Sequence, residues 1–207
     1  MIPEYYHLNT ARSPFDRTHN LNITNVTELP FGPGRRWLNT GGLAGAIVGG
    51  WQLNNILSFY SGTPFNVTAS GTSLNAPEST QRADQVKPDV EILGGIGRGN
   101  AYFDPLAFKP VTEARFGTAD FYSVRGPGYA NWDFGVFREL QLPRKATMTI
   151  RFEAFNVLNT AHFNNPGSNV SNLQLNPDGS VRNLNGFSEV TSAYGERQMR
   201  IGLRLGW

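Results

Sequence analysis

Gln198-Met-Arg-Ile-Gly-Leu-Arg-Leu-Gly-Trp207 alternates without a break. Met199, Ile201, Leu203, Leu205 and Trp207 fall on one side, and Gln198, Arg200, Gly202, Arg204 and Gly206 on the other. That is the two-residue period of a β-strand with one face toward something apolar and the other toward water. Four earlier stretches have comparable length and character. Thr18 to Leu29 sets Leu21, Ile23 and Leu29 against Asn22, Thr24 and Glu28, with Asn25 and Val26 out of step. Gly50 to Ser61 sets Trp51, Leu53, Leu57 and Phe59 against Gln52, Asn54 and Ser58, with Asn55, Ile56 and Tyr60 as exceptions. Asn131 to Leu142 carries Trp132, Phe134, Val136, Leu140 and Leu142 against Asp133, Gly135, Glu139 and Gln141, and only Phe137 and Arg138 offend. Ala146 to Leu158 sets Met148, Ile150, Phe152 and Ala154 against Thr147, Thr149, Arg151 and Glu153.

A soluble β-sandwich would alternate in the same way. The aromatic closing the last strand separates the readings. It resembles the C-terminal signal that outer-membrane proteins present to the barrel assembly machinery, in which Phe is usual and Trp a known variant. That resemblance makes Met199, Ile201, Leu203, Leu205 and Trp207 an assembly signal, with Trp207 suited to an interfacial aromatic girdle.

Composition agrees with an all-β protein. Of 207 residues only 16% are charged, against about 25% in an ordinary globular domain, while Gly reaches 23 residues, Pro 13, and aromatics 12%. Such a chain suits strands and long polar loops better than helices. The net charge of +2 is scattered, with Arg35 and Arg36 the only adjacent arginines, so no nucleic-acid surface is expected. With no cysteine there is neither a disulfide framework nor a thiolate metal site. No basic-then-apolar export signal stands at Met1, and no run of about 18 apolar residues reads as a membrane helix. Either the chain is cytosolic and soluble, or it is a piece of a longer precursor. With the terminal strand's resemblance the expectation is the second, 1–207 forming the last five or so strands of an incomplete, antiparallel up-and-down transmembrane barrel.

Connection lengths orient it, because bacterial barrel strands alternate between short periplasmic turns and long extracellular loops. Pro143 to Lys145 is a tight, periplasmic join. The stretches 62–130 and 159–197 then become extracellular loops, and the last strand ends in the periplasm. Pro30 to Gly49 is long for a periplasmic turn. Within the second loop, Asn176-Pro-Asp-Gly179 has the chemistry of a β-turn. Its arms, Leu173 and Leu175 before it and Val181 and Leu184 after it, are expected to extend barrel strands above the membrane.

Seven short motifs in succession carry a closer resemblance. Phe15-Asp-Arg-Thr-His-Asn20, Glu28-Leu-Pro-Phe-Gly-Pro-Gly34, Gly49-Gly-Trp-Gln-Leu53, Ser61-Gly-Thr-Pro-Phe65, Arg125-Gly-Pro-Gly128, Asn131-Trp-Asp-Phe134 and Arg151-Phe-Glu-Ala-Phe-Asn-Val-Leu-Asn159 resemble, in order, the closing portion of Oar-like TonB-dependent receptors, a group abundant in acidobacteria. The resemblance implies a barrel of about 22 strands filled by an N-terminal plug, although neither a plug nor a TonB box is legible in this chain. It implies a location in the Gram-negative outer membrane and a receptor for active uptake of a scarce small-molecule, saccharide or peptide ligand. The implied partners are outer-membrane lipid, the assembly machinery and the TonB system. A barrel for adhesion or export is the alternative, and a soluble sandwich module a third reading.

Catalysis is not expected. Gly94-Gly-Ile-Gly-Arg-Gly99 lacks the flanking strand and helix of a phosphate loop. His7, His19 and His162 have no ligand spacing, so no metal is expected. Asp84, Asp89, Asp104 and Asp120 read as solvated loop carboxylates, no Gly-x-Ser-x-Gly elbow occurs, and no cofactor is implied. Asn22-Ile-Thr24, Asn66-Val-Thr68 and Asn169-Val-Ser171 are chance triplets. The loop aromatics Tyr102, Phe103, Phe108, Phe116, Phe121 and Tyr122 are expected to pack on one another as the loop's own core, and Tyr102, Phe103, Phe121 and Tyr122 are the candidates for the alternative, ligand contact.

Overall fold

The computed structural model describes residues 10–39, 41–74 and 80–207; His7 lies outside them. Five strands, β1 (Asn20–Glu28), β2 (Trp51–Tyr60), β3 (Tyr129–Gln141), β4 (Thr147–Phe155) and β5 (Gln198–Gly206), form one antiparallel sheet in chain order. Each falls on a stretch that alternates in the sequence, because side chains two apart share a face and only one register keeps all apolar sets together. The strand ends are where expectation and structure part. β3 begins at Tyr129, two residues early, and β4 stops at Phe155 instead of running to Leu158. Asn156 takes a left-handed conformation (φ 51°), which turns the chain out of the ladder. The join between β3 and β4 is tight as expected: Leu142 N–H donates to Ala146 O, and Arg144 and Lys145 both sit at positive φ.

The chain divides into two compact units. One holds the five-stranded sheet and its tight connections, over His19–Tyr60, Tyr129–Ala161 and Gly195–Trp207. The other is built from residues 10–18, Ser61–Gly128 and His162–Tyr194, chiefly the two long connections. Among the described residues it has only two- and three-residue strands, but it has an apolar core of its own. Phe103 and Phe187 are fully buried and meet edge to face with centroids 5.3 Å apart; Phe65, Val67, Phe108, Val170 and Val190 close around them. The two connections are stitched together by backbone bridges Thr68↔Asn169 and Ala101↔Glu189.

The turn at Asn176–Gly179 forms, but its arms are Gln174–Leu175 and Val181–Asn183, a ladder separate from the five-stranded sheet. The expectation that it extends barrel strands is corrected: Leu173 leans on the loop core and Leu184 is buried, so the hairpin is anchored within its own unit. Between β1 and β2, in the connection that is long for a periplasmic turn, the chain forms a short helix α1 (Gly42–Val48) bounded by Gly41 and Gly49. Gly32, at φ 102°, lies so close to Gly49 that a Cβ there would overlap its Cα.

Candidate functional site

The register sorts the sheet into two chemically distinct faces. Directly paired residues share a face, and apolar residues face one another in unbroken rows across the strands: Ile23↔Leu57↔Trp132, Leu53↔Val136↔Phe152↔Ile201, and Leu140↔Met148↔Leu205. Leu203 pairs with Ile150 and Met199 with Ala154 on the same face. The opposite face carries Glu28, Gln52, Asp133, Glu139, Arg151, Glu153, Arg200 and Arg204. Glu28, Arg35, Gln52, Glu139, Arg151 and Arg204 line a shallow concavity of about 420 Å³ there.

Residues that broke the alternation are accommodated by their neighbours. On the apolar face Asn55 accepts a hydrogen bond from Trp132 Nε1 (3.1 Å), and Asn25, directly opposite Asn55, accepts one from Thr27 Oγ1 (2.8 Å). A polar group in an apolar setting costs several kcal/mol only when it is unsatisfied. Arg138 stands near a strand end with its guanidinium over the Trp51 ring at 5.2 Å. On the polar face Phe137 and Phe155 lie under the guanidiniums of Arg151 and Arg200, at 5.5 and 5.1 Å, and Tyr60 stacks on Tyr129. Cationic cover lets an aromatic ring occupy a wet face.

The predicted assembly-signal residues Met199, Ile201, Leu203, Leu205 and Trp207 are all exposed, from 54% at Leu205 to 101% at Trp207. Of the predicted ligand-loop aromatics, Tyr102 and Phe103 are buried in the loop core and therefore serve packing in this structure. Phe121 and Tyr122 are half-buried; Phe121 carries the Arg82 guanidinium on its face at 4.8 Å, and Tyr122 N–H donates to Asn66 Oδ1 (2.7 Å).

The motifs collapse into three knots at chain crossings, which the linear sequence did not reveal. In the first, Pro64–Phe65 pairs with Val124–Arg125; Arg125 forms an ion pair with Asp16 and donates to Gly62 O, while Arg17 donates to Ser61 O (2.7 Å). A Cβ on Gly62 would overlap Gly126 O at 1.8 Å, so glycine is required where these backbones touch. In the second, Leu29 N–H donates to Trp51 O, and Glu28 pairs with Arg35. In the third, Asp133 Oδ1 accepts from Asn131 Nδ2 and from Asn156 N–H, both at 2.8 Å. The Asn156 side chain in turn clasps the backbone N–H and carbonyl of Thr160.

Two of the loop carboxylates expected to be solvated are structural. Asp84, 5% exposed in its side chain, is held by both terminal nitrogens of Arg115 (2.8 and 2.7 Å) and by Thr118 N–H (3.2 Å). The Arg115 hydrogen bonds hold its carboxyl below the ordinary carboxylate range. Asp104 caps a turn through Leu106 N–H and pairs with Lys87; Asp89 and Asp120 are exposed. His162 is buried against Tyr194 in a two-residue ladder, and His19 is exposed. In Gly94–Gly99 the amide of Gly97 donates to Val190 O and that of Gly99 to the buried Glu189 carboxylate. An anionic group of the protein itself already fills the role a phosphate would take.

A sheet apolar across one face and charged across the other, whose outer strands β1 and β5 each pair on one side only among the described residues, is a section of a barrel wall. Five strands are too few to close, since the smallest outer-membrane barrels have about eight. The chain belongs to the outer membrane beta barrel domain family, whose model matches residues 1–200, and it is a protein of the outer membrane. No curated protein and no solved structure matches it.

Proposed function

We propose that this sheet is part of the wall of a TonB-dependent receptor that takes up a scarce ligand across the outer membrane, and that the long connections form its extracellular, ligand-facing body. The observation that carries this reading is the collinear series of seven Oar-like motifs from Phe15 to Asn159, supported by their convergence into three knots. Independent chance matches would have no reason to meet in space. The folded body of the two connections adds support, because surface loops positioned by a rigid scaffold are where recognition concentrates. The polar face, with Arg151, Arg204 and Glu139, is turned in this reading to a hydrated lumen, and the apolar face to lipid. No catalytic role is proposed.

TonB capture tests it. The protein carrying these strands, purified from outer membranes, should retain the periplasmic domain of TonB on an affinity column, and its reading frame should encode a plug with a TonB box upstream of Phe15. A parent without plug or TonB binding would contradict uptake and leave a barrel for adhesion or export.

A further inference from the structure

The connection from Pro30 to Gly50 is too long for a simple turn, and its placement suggests why. Register puts it at the same end of the sheet as the tight β3–β4 join and the last residues of β5: Glu28 pairs with Gln52, Trp51 with Arg138, and Thr147 with both Gln141 and Gly206. Its helix α1 is tied to the apolar side. The carbonyl of Ile47, in the last turn of the helix, accepts hydrogen bonds from Trp51 Nε1 (2.9 Å) and from Arg138 Nη1 (3.0 Å). Both donors belong to the apolar face of the sheet. Leu43 and Ile47, four residues apart and so on one side of the helix, are 84% and 64% exposed. Trp37 and Leu38 are exposed beside them in sequence. Arg36 covers the Trp37 ring at 5.3 Å, and Arg144 and Lys145 are exposed in the β3–β4 join.

We infer that the β1–β2 connection is a membrane-surface anchor: α1 lies in the headgroup region of the leaflet at this end of the wall, with Leu43 and Ile47 directed into the acyl boundary. The occupant is lipid, because this apolar surface continues the apolar face of an outer-membrane barrel wall through Trp51 and Arg138. Short apolar helices flanked by tryptophan and basic side chains have the composition of interfacial elements, and arginines near a membrane surface keep their charge among headgroups while their stems stay in apolar surroundings. Arg36, Arg138, Arg144 and Lys145 would meet anionic headgroup phosphate. The inference rests on the proposed lipid-facing orientation of the sheet.

The chain has no cysteine, so with any cysteine outside residues 1–207 replaced by serine each probe is single. Leu43→Cys, Ile47→Cys, Leu203→Cys and Asp178→Cys would each be labelled with bimane in the outer-membrane protein reconstituted in phospholipid vesicles. A nitroxide carried near the lipid headgroup should quench positions 43 and 47 several-fold more than one carried deep in the acyl chain, and aqueous iodide should quench them several-fold less than position 178. Position 203 should respond most to the deep nitroxide. If positions 43 and 47 follow position 178 while 203 keeps its lipid response, the anchor is wrong and the lipid-facing wall stands. If position 203 also ignores both nitroxides, the orientation of the wall is wrong and the anchor falls with it.

Discussion

The sheet and the loop body solve opposite problems. The body buries Phe103, Phe187, Val67, Val170 and Val190 almost completely, and it has scarcely any regular secondary structure. The sheet is hydrogen-bonded from strand to strand along its length, yet among its residues only Gly135 and Ala154 are buried. A soluble protein could not leave Met199, Ile201, Leu203 and Leu205 bare; each would forfeit roughly 1.5–3 kcal/mol of burial. In the proposed orientation the sheet takes its stability from the ladder and from a surrounding that is itself apolar, whereas the body takes its stability from a core of its own. The two should respond differently to the same kind of damage.

The largest effect is expected from Phe103→Ala, which should destabilise the loop body by about 3–5 kcal/mol, the range for emptying a buried aromatic site. Hydrogen exchange should show protection lost in both long connections together, since Phe103 contacts Phe187 of the other one, with the amides of β1 to β5 unchanged. Loss confined to one connection would break the claim of a shared core.

Next comes Leu203→Arg, expected to cost on the order of 2–4 kcal/mol near a bilayer midplane. The yield of folded, heat-modifiable protein in outer-membrane fractions should fall, while Arg204→Gln on the opposite face leaves it unchanged. This prediction inverts the first: an exposed position is sensitive because of what surrounds the sheet.

A smaller effect, about 1.5–3 kcal/mol, is expected for Asp84→Asn, which weakens the hydrogen bonds to Arg115. Because the Asp84 carboxyl is held below its unfolded value, its contribution is present above the ordinary carboxylate range of about pH 4 and is lost as pH falls through the depressed value. Protease resistance of the loop body should decline in acid in the native protein, and the Asn variant should show a flatter decline. An identical slope would mean that Asp84 is not the group whose protonation loosens the body.

The sheet was legible because its information is local. A two-residue period is written in successive positions, and even the misfits resolved once strands were paired: Asn25 faces Asn55, and Val26 and Ile56 simply belong to the polar face. The loop body was not legible, because Phe65, Phe103 and Phe187 lie far apart along the chain with no period to link them. Arg115 gave no signal at all, since its partner Asp84 is 31 residues away. The helix α1 was hidden by its glycines, which ordinarily argue against a helix; its end is fixed by Trp51 and Arg138, residues the sequence assigned to strands. The motifs were visible as a series, but their meeting at three crossings belongs to the fold.

The two faces of the sheet carry the proposed orientation of the wall, and the accessibility of β5 tests them most directly. A nitroxide placed at each position from Gln198 to Trp207 in turn, in the reconstituted protein, reports collisions with oxygen, which concentrates in lipid, and with a water-soluble nickel chelate. Oxygen accessibility is predicted to oscillate with a period of two, high at 199, 201, 203 and 205, with the nickel profile in opposite phase at 200 and 204. Profiles without that period, or with the phases exchanged, would contradict the orientation of the wall and the function built on it.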